Sequence, residues 1–309
     1  MRAHLIRAHI ALFMVNTLYG ASHIIAKGVM PNYLTPNVFI MFRAVGATLL
    51  FWLIKLILLK EKVLRKDMFL FAICGMFGVT INQLFFFNGL NLSSSINSGI
   101  IMTLNPIMVV IMSFFIIRSP INIKRTTGVL IGATGAILLT LSSGTASTES
   151  LIGDLYLLIN AASYALYLVI AKPLINKYSP LTVITYVFSF GMLFILIYPP
   201  TLTEFLSTDF KIITSDVIWK ILYVVIGVTF LTYLLTMYGL KHTSPTVSSA
   251  YIYTQPVSVI FFAYILSEIG LAEDYTDTIT LEKIIYMLII FVGVYITSST
   301  SFVNHKNDK

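Results

Sequence analysis

The chain has 309 residues, of which 57% are hydrophobic and only 11% charged, with a formal net charge of +7. Soluble domains carry about 25% charged residues, and apolar runs near 20 residues, the length that crosses a bilayer, recur along this chain, so a soluble fold is excluded and an all-α polytopic membrane protein is expected. The basic residues lie in short loops without a contiguous patch, which argues against nucleic acid, and the single cysteine, Cys74, permits no intramolecular disulfide.

The apolar runs predict ten transmembrane helices, at roughly 8–28, 33–58, 68–88, 95–117, 127–143, 153–171, 181–199, 218–240, 246–267 and 284–300. The first is read as an uncleaved span rather than a signal peptide, because it continues past Gly20 without a small-residue cleavage site. With the N-terminus placed inside, fourteen basic residues (among them Arg7, Lys62, Lys177 and Lys241) fall inside and four (Lys27, Lys211, Lys220 and Lys283) outside. That bias predicts cytoplasmic termini.

One stretch organises the rest. Phe87 to Arg118 is echoed 150 positions later by Met237 to Glu268. Both open on Gly-Leu, pass through small hydroxyl residues, and place a proline after a side-chain amide: Asn105-Pro106 and Gln255-Pro256. The first spans rhyme as well, Tyr19 to Lys27 with Tyr164 to Lys172, each followed by a proline (Pro36, Pro180). Five spans per copy is an odd number, so the second copy is expected upside down, as an inverted repeat with halves at 1–150 and 151–309. Gly128 and Gly132 form a GxxxG pattern in span five, read as packing or dimer surface; the oligomeric state is not legible.

Polar side chains in hydrocarbon are costly unless paired or wet. At about 100° per residue, Asn16, Tyr19 and His23 share a stripe of span one, and Asn160, Tyr164 and Tyr167 one of span six. Gln83 (span three), Ser98 and Asn105 (span four), Thr232 and Tyr233 (span eight), and Ser248, Tyr251 and Gln255 (span nine) add further polar groups. Six spans with such stripes predict a shared cavity that binds a small polar solute. Pro106 and Pro256 near mid-span each remove a backbone hydrogen bond and are expected to be hinges. Arg43 is the clearly embedded charge; pairing with backbone carbonyls or snorkelling to the outer surface is its structural role, and contact with an anionic solute, together with Lys27 and Lys172, the functional alternative. No mid-membrane Asp or Glu is present to relay protons. Nucleophile–base pairs, HExxH and paired carboxylates are also missing, so neither an enzyme nor a bound metal or cofactor is expected.

These pieces resemble the EamA family of the drug/metabolite transporter superfamily: the Lys27-to-Arg43 segment, the two Gly-Leu…Pro blocks, the GVLIGATGAILL stretch of span five, and Gly153-Asp154-Leu155 with Tyr164-Ala165-Leu166-Tyr167. The resemblance implies ten helices, two inverted halves and a cavity between them. It also implies a transporter in the cell membrane that exports amino acids and other small metabolites. An exchanger of phosphorylated or carboxylated metabolites is the alternative. One position departs from the family: Arg118 stands where its members usually carry Glu, while Glu268 keeps the acid and precedes an acidic insert (Glu273, Asp274, Asp277). The charge bias generates a direct prediction. Cysteines placed singly at Ser147 and Lys62 should react with impermeant reagents from outside and from inside, respectively; the reverse pattern contradicts the orientation.

Overall fold

The structure is a computed structural model that describes residues 2–27, 29–30, 32–93, 101–142, 151–268 and 280–307, with the side chains of 2, 21–27, 140, 259, 263, 266–268 and 300–307 outside the description. Among the described residues all regular structure is helical. Six helices are long and apolar enough to cross a bilayer: α2 (Pro36–Leu58), α3 (Arg65–Leu92), α6 (Leu151–Lys177), α7 (Pro180–Ile197), α8 (Ser215–His242) and α10, whose apolar part is Leu281–Ser299 and which continues to Asn307. The helices α1 (Arg2–Lys27), α4 (Leu104–Ile116) and α5 (Ile123–Ser142) lie where spans one, four and five were expected. The ninth, α9, is broken: Pro245–Ala250, a tight 3₁₀ turn at Tyr251–Thr254, then Gln255–Glu268. The protein is therefore an all-helical, multi-span membrane protein.

Local chemistry starts several helices at prolines. Pro36, Pro180 and Pro245 each occupy the first helical position, where a missing N–H costs nothing. The hydroxyls before them, Thr35, Ser179 and Ser244, cap the following turn. Two of these caps carry a carboxylate from the other half of the chain. Glu61, just after α2, accepts from the Ser179 hydroxyl at 2.8 Å and its N–H at 3.0 Å, at the start of α7. Glu204, just after α7, accepts from Thr35 at 2.5 Å and Asn37 at 2.7 Å, at the start of α2. A negative charge at a helix N-terminus is favourable, and the relation is reciprocal. Burial acts to raise the Glu61 carboxyl, but hydrogen bonds from Thr182 and Ser179 and the Lys241 cation hold it below its usual value.

The loops assigned to one side gather at one end. Besides Glu61, Asp67 binds Lys177 and, at 2.5 Å, the Tyr178 hydroxyl, while Lys241 reaches the Tyr178 carbonyl at 3.3 Å. At the opposite end Ser93 binds Asp154, and Asn88 reaches Asn37 at 3.0 Å. Between α7 and α8 the chain folds a short helix (Pro199–Ser207) against α2, because Pro199 opens it and Glu204 anchors it. Arg118 closes α4 at φ 51°, a left-handed conformation that costs an L residue about 1–2 kcal/mol.

Packing follows the same exchange. α1 lies against α8 and α9, α6 against α3 and α4, α2 against α7, and α5 against α10. The GxxxG face of span five is used inside the chain rather than offered to a second copy. A Cβ at Gly293 of α10 would fall 2.6 Å from the Gly132 Cα and 2.7 Å from the Gly128 carbonyl, so the two backbones touch. Gly293→Ala should overpack that seam and lower stability by about 1–3 kcal/mol, read as a lower melting temperature of purified protein. Gly227→Ala, where the nearest atom is 3.5 Å away, should leave it unchanged. Equal melting for both variants would contradict the seam.

Candidate functional site: a cavity between the two halves

Mid-span residues of α1, α2, α3, α4, α6, α8 and α9 enclose a cavity of about 120 Å³. Nine of the expected binding residues are on its wall: Asn16, Tyr19, Gln83, Asn105, Asn160, Tyr164, Tyr233, Ser248 and Gln255. Arg43 joins them and is the only charged residue among the described residues of the wall.

What brings these groups together is an irregularity in two helices. α3 contains a π-helical turn at Met76–Ile81 and α8 another at Val224–Leu231. A π-turn disturbs the regular carbonyl pairing of the helix, and carbonyls in and beside the α3 turn accept side chains from facing helices. Ser163 donates to Phe77 O, Asn160 to Asn82 O at 2.7 Å, and Tyr233 to Gly78 O and Asn82 Oδ1, both at 3.3 Å. In the α8 turn, Thr229 donates back to Val224 O at 2.8 Å and accepts from Arg43 Nε at 3.0 Å. The Arg43 guanidinium carbon also lies 4.6 Å from the Phe87 ring centroid and 5.9 Å from that of Phe39, a favourable placement for a cation.

The amides are unevenly satisfied. Gln255 Nε2 donates to Asn16 Oδ1 at 2.8 Å, and Asn16 Nδ2 to Leu12 O at 2.7 Å. Asn105 donates to Ala161 O at 2.7 Å, but its Oδ1 has no partner. Gln83 is 2% exposed and neither end of its amide makes a hydrogen bond of good geometry. The Tyr233 hydroxyl lies beside it but is committed to α3. An unmade hydrogen bond of this kind costs about 1–3 kcal/mol.

Several expected residues do not reach the wall. Tyr167 is fully buried, its hydroxyl 3.4 Å from Met237 Sδ, and its ring fills the space beside Gly78. Thr232 stands behind the wall, bonded to Tyr19 at 3.2 Å and to Val228 O at 2.5 Å. Tyr251 turns away to His9 Nδ1 at 2.8 Å. Thr232 and Tyr233 both follow the α8 π-turn and differ by about 100° around the helix, and of the two only Tyr233 lines the cavity. Lys172 is not available for an anion: its Nζ donates to the carbonyls of Leu240, Lys241 and Thr243 at the end of α8, where a cation is favoured. Pro106 and Pro256 are absent from the wall, yet the helix is irregular just before each, at Thr103 and at Tyr251–Thr254. Tyr253 spans this gap by donating to Thr103 O at 3.2 Å. Ser98 and the side chains of His23 and Lys27 lie outside the described residues.

Reading polar stripes alone missed the apolar part of the wall, including Phe86, Phe87, Leu90 and Leu168. It also missed both π-turns, although Gly78-Val79-Thr80 and Gly227-Val228-Thr229 mark them as a second internal echo. Among the described residues no three His, Cys, Asp or Glu side chains gather as a metal site. The wall offers amides, phenols, one guanidinium and aromatic faces, which can bind and orient a solute.

Many membrane spans with polar side chains converging on a mid-span cavity are the architecture expected of a membrane transporter. The profile of the EamA-like transporter family matches residues 6–141 and again 151–299. The chain belongs to that family, whose members are transporters and not enzymes. It is 26% identical over 278 residues to the Bacillus subtilis (strain 168) "Uncharacterized transporter YetK", covering 87% of this chain and 81% of that protein. It is 25% identical over 287 residues to an "Uncharacterized transporter" of Archaeoglobus fulgidus, covering 93% and 97%. A solved crystal structure superposes with TM-score 0.71 at 15% identity, over 95% of this chain and 97% of that one, a likeness of fold alone.

Proposed function

We propose that the protein exports small polar metabolites, amino acids foremost, across the cell membrane by alternating access through the central cavity. In this reading ten spans form two inverted five-helix repeats, residues 1–150 and 151–309, with both termini cytoplasmic. The observation that carries it is that both halves contribute corresponding helices to one wall: α1, α3 and α4 from the first, α6, α8 and α9 from the second. The reciprocal carboxylate caps, Glu61 on α7 and Glu204 on α2, support the inversion, since each half tethers the other at the opposite end. Pro106 and Pro256, each following an irregular turn, serve as flex points.

No Asp or Glu lies among the described residues of the wall, which favours facilitated export or exchange over proton antiport. The rival reading, an exchanger of phosphorylated or carboxylated metabolites on three cations, is weakened by the commitment of Lys172 to backbone carbonyls and keeps Arg43 in its favour. Asn105→Leu and Gln255→Leu should express at wild-type levels and lose most transport in liposomes. Wild-type flux in both would rule out this cavity as the site.

A further inference from the structure

Three groups in the wall fit together by their unmet chemistry. Arg43 is 4% exposed and uses only Nε for a hydrogen bond, to Thr229, with Phe87 against its guanidinium carbon. Its terminal nitrogens are donors that no carboxylate of the described wall answers, because that wall holds no acid. Gln83, 2% exposed and with no hydrogen bond of good geometry at either end of its amide, lies on the same wall, and Tyr233 interacts with both it and Arg43. Asn105 presents the opposite need. Its Nδ2 is fixed by donation to the Ala161 carbonyl, so the atom left facing nothing is an acceptor, Oδ1.

Resting on the transport reading above, we propose that Arg43 and Gln83 form an anion subsite for the carboxylate of a small solute, with Asn105 Oδ1 taking a donor on the neighbouring carbon. The class is α-amino and α-hydroxy acids. A single guanidinium balances one negative charge, whereas the second charge of a phosphate monoester would remain unanswered in a low-dielectric wall. An amine without a carboxylate would face Arg43 with no acid to offset it. The apolar residues Phe86, Leu90 and Ile252 leave room beside these groups for the variable part of the solute.

The test uses the full chain in lipid nanodiscs. Thermal stabilisation is measured with the twenty α-amino acids, lactate and glycerate, the matching amides and decarboxylated amines, and glycerol phosphate. At least one acid should stabilise the protein, with its amide and amine at least tenfold weaker. Gln83→Leu, which removes an orphaned amide and so should fold at least as well, should weaken the acid about ten- to hundredfold. Arg43→Gln should abolish the effect and Arg43→Lys should retain part of it. The subsite is overturned if amides or amines match the acids, if no acid binds, if Gln83→Leu binds as wild type, or if glycerol phosphate binds more tightly than every carboxylate. Binding with the expected charge requirement, in a protein that moves no acid across liposomes, supports the subsite and overturns only the transport reading.

Discussion

In hydrocarbon a backbone carbonyl has no water to turn to, and each one left unpaired costs several kcal/mol. That constraint governs the centre of this protein. α3 and α8 each depart from regular helix at mid-span, and the carbonyls around the α3 turn are met by side chains from neighbouring helices. Ser163, Asn160 and Tyr233 are therefore held by α3 as well as by their own helices. The helices that carry them, α6 and α8, are positioned by those bonds, and the cavity is the space their aligned faces leave. Polar groups that a lipid-facing helix could not hold are tolerated here because they satisfy backbone on one side and face the hollow on the other.

The two halves supply the same scaffold but unequal chemistry. Both have a hydroxyl-proline start on their second helix, capped by an acid from the other half, and both have a Gly-Val-Thr turn in their third. Thr80 of the first half donates to the Gly191 backbone of α7 at 3.1 Å, whereas its counterpart Thr229 meets Arg43 of α2. Among the described residues of the wall the cation is thus present once, which gives the two sides of the cavity unequal charge. The α5–α10 seam, with glycine backbones in contact, stays clear of the cavity and ties the ends of the two halves together.

Much of this was legible from residues alone, and for a physical reason. In a chain so apolar, an embedded Asn, Gln or Tyr must be paired or wet, so Asn16, Gln83, Asn105, Asn160 and Gln255, which line one cavity, could be grouped before any coordinates. What periodicity could not supply was the partner. Tyr164 and Tyr167 share a stripe and their rings lie 6.0 Å apart, yet one lines the hollow and the other packs on Gly78. Lys172 reads as a cation near a boundary, and nothing along the sequence tells that the open carbonyls of α8 lie against it. The apolar wall was invisible because Phe87 or Leu168 at helical spacing looks like ordinary core.

The central claim is that this interior is wet and the outer surface of the bundle is not. Cys74, fully buried and the only native thiol, leaves a quiet background for substituted-cysteine labelling with a membrane-impermeant thiol reagent. Cysteines replacing Asn16 and Gln255 should be modified, while those replacing Leu53 and Phe115, which are 56% and 73% exposed on the outer surface of the bundle, should not. Modification of the outward-facing pair with silence at Asn16 and Gln255 would contradict the account.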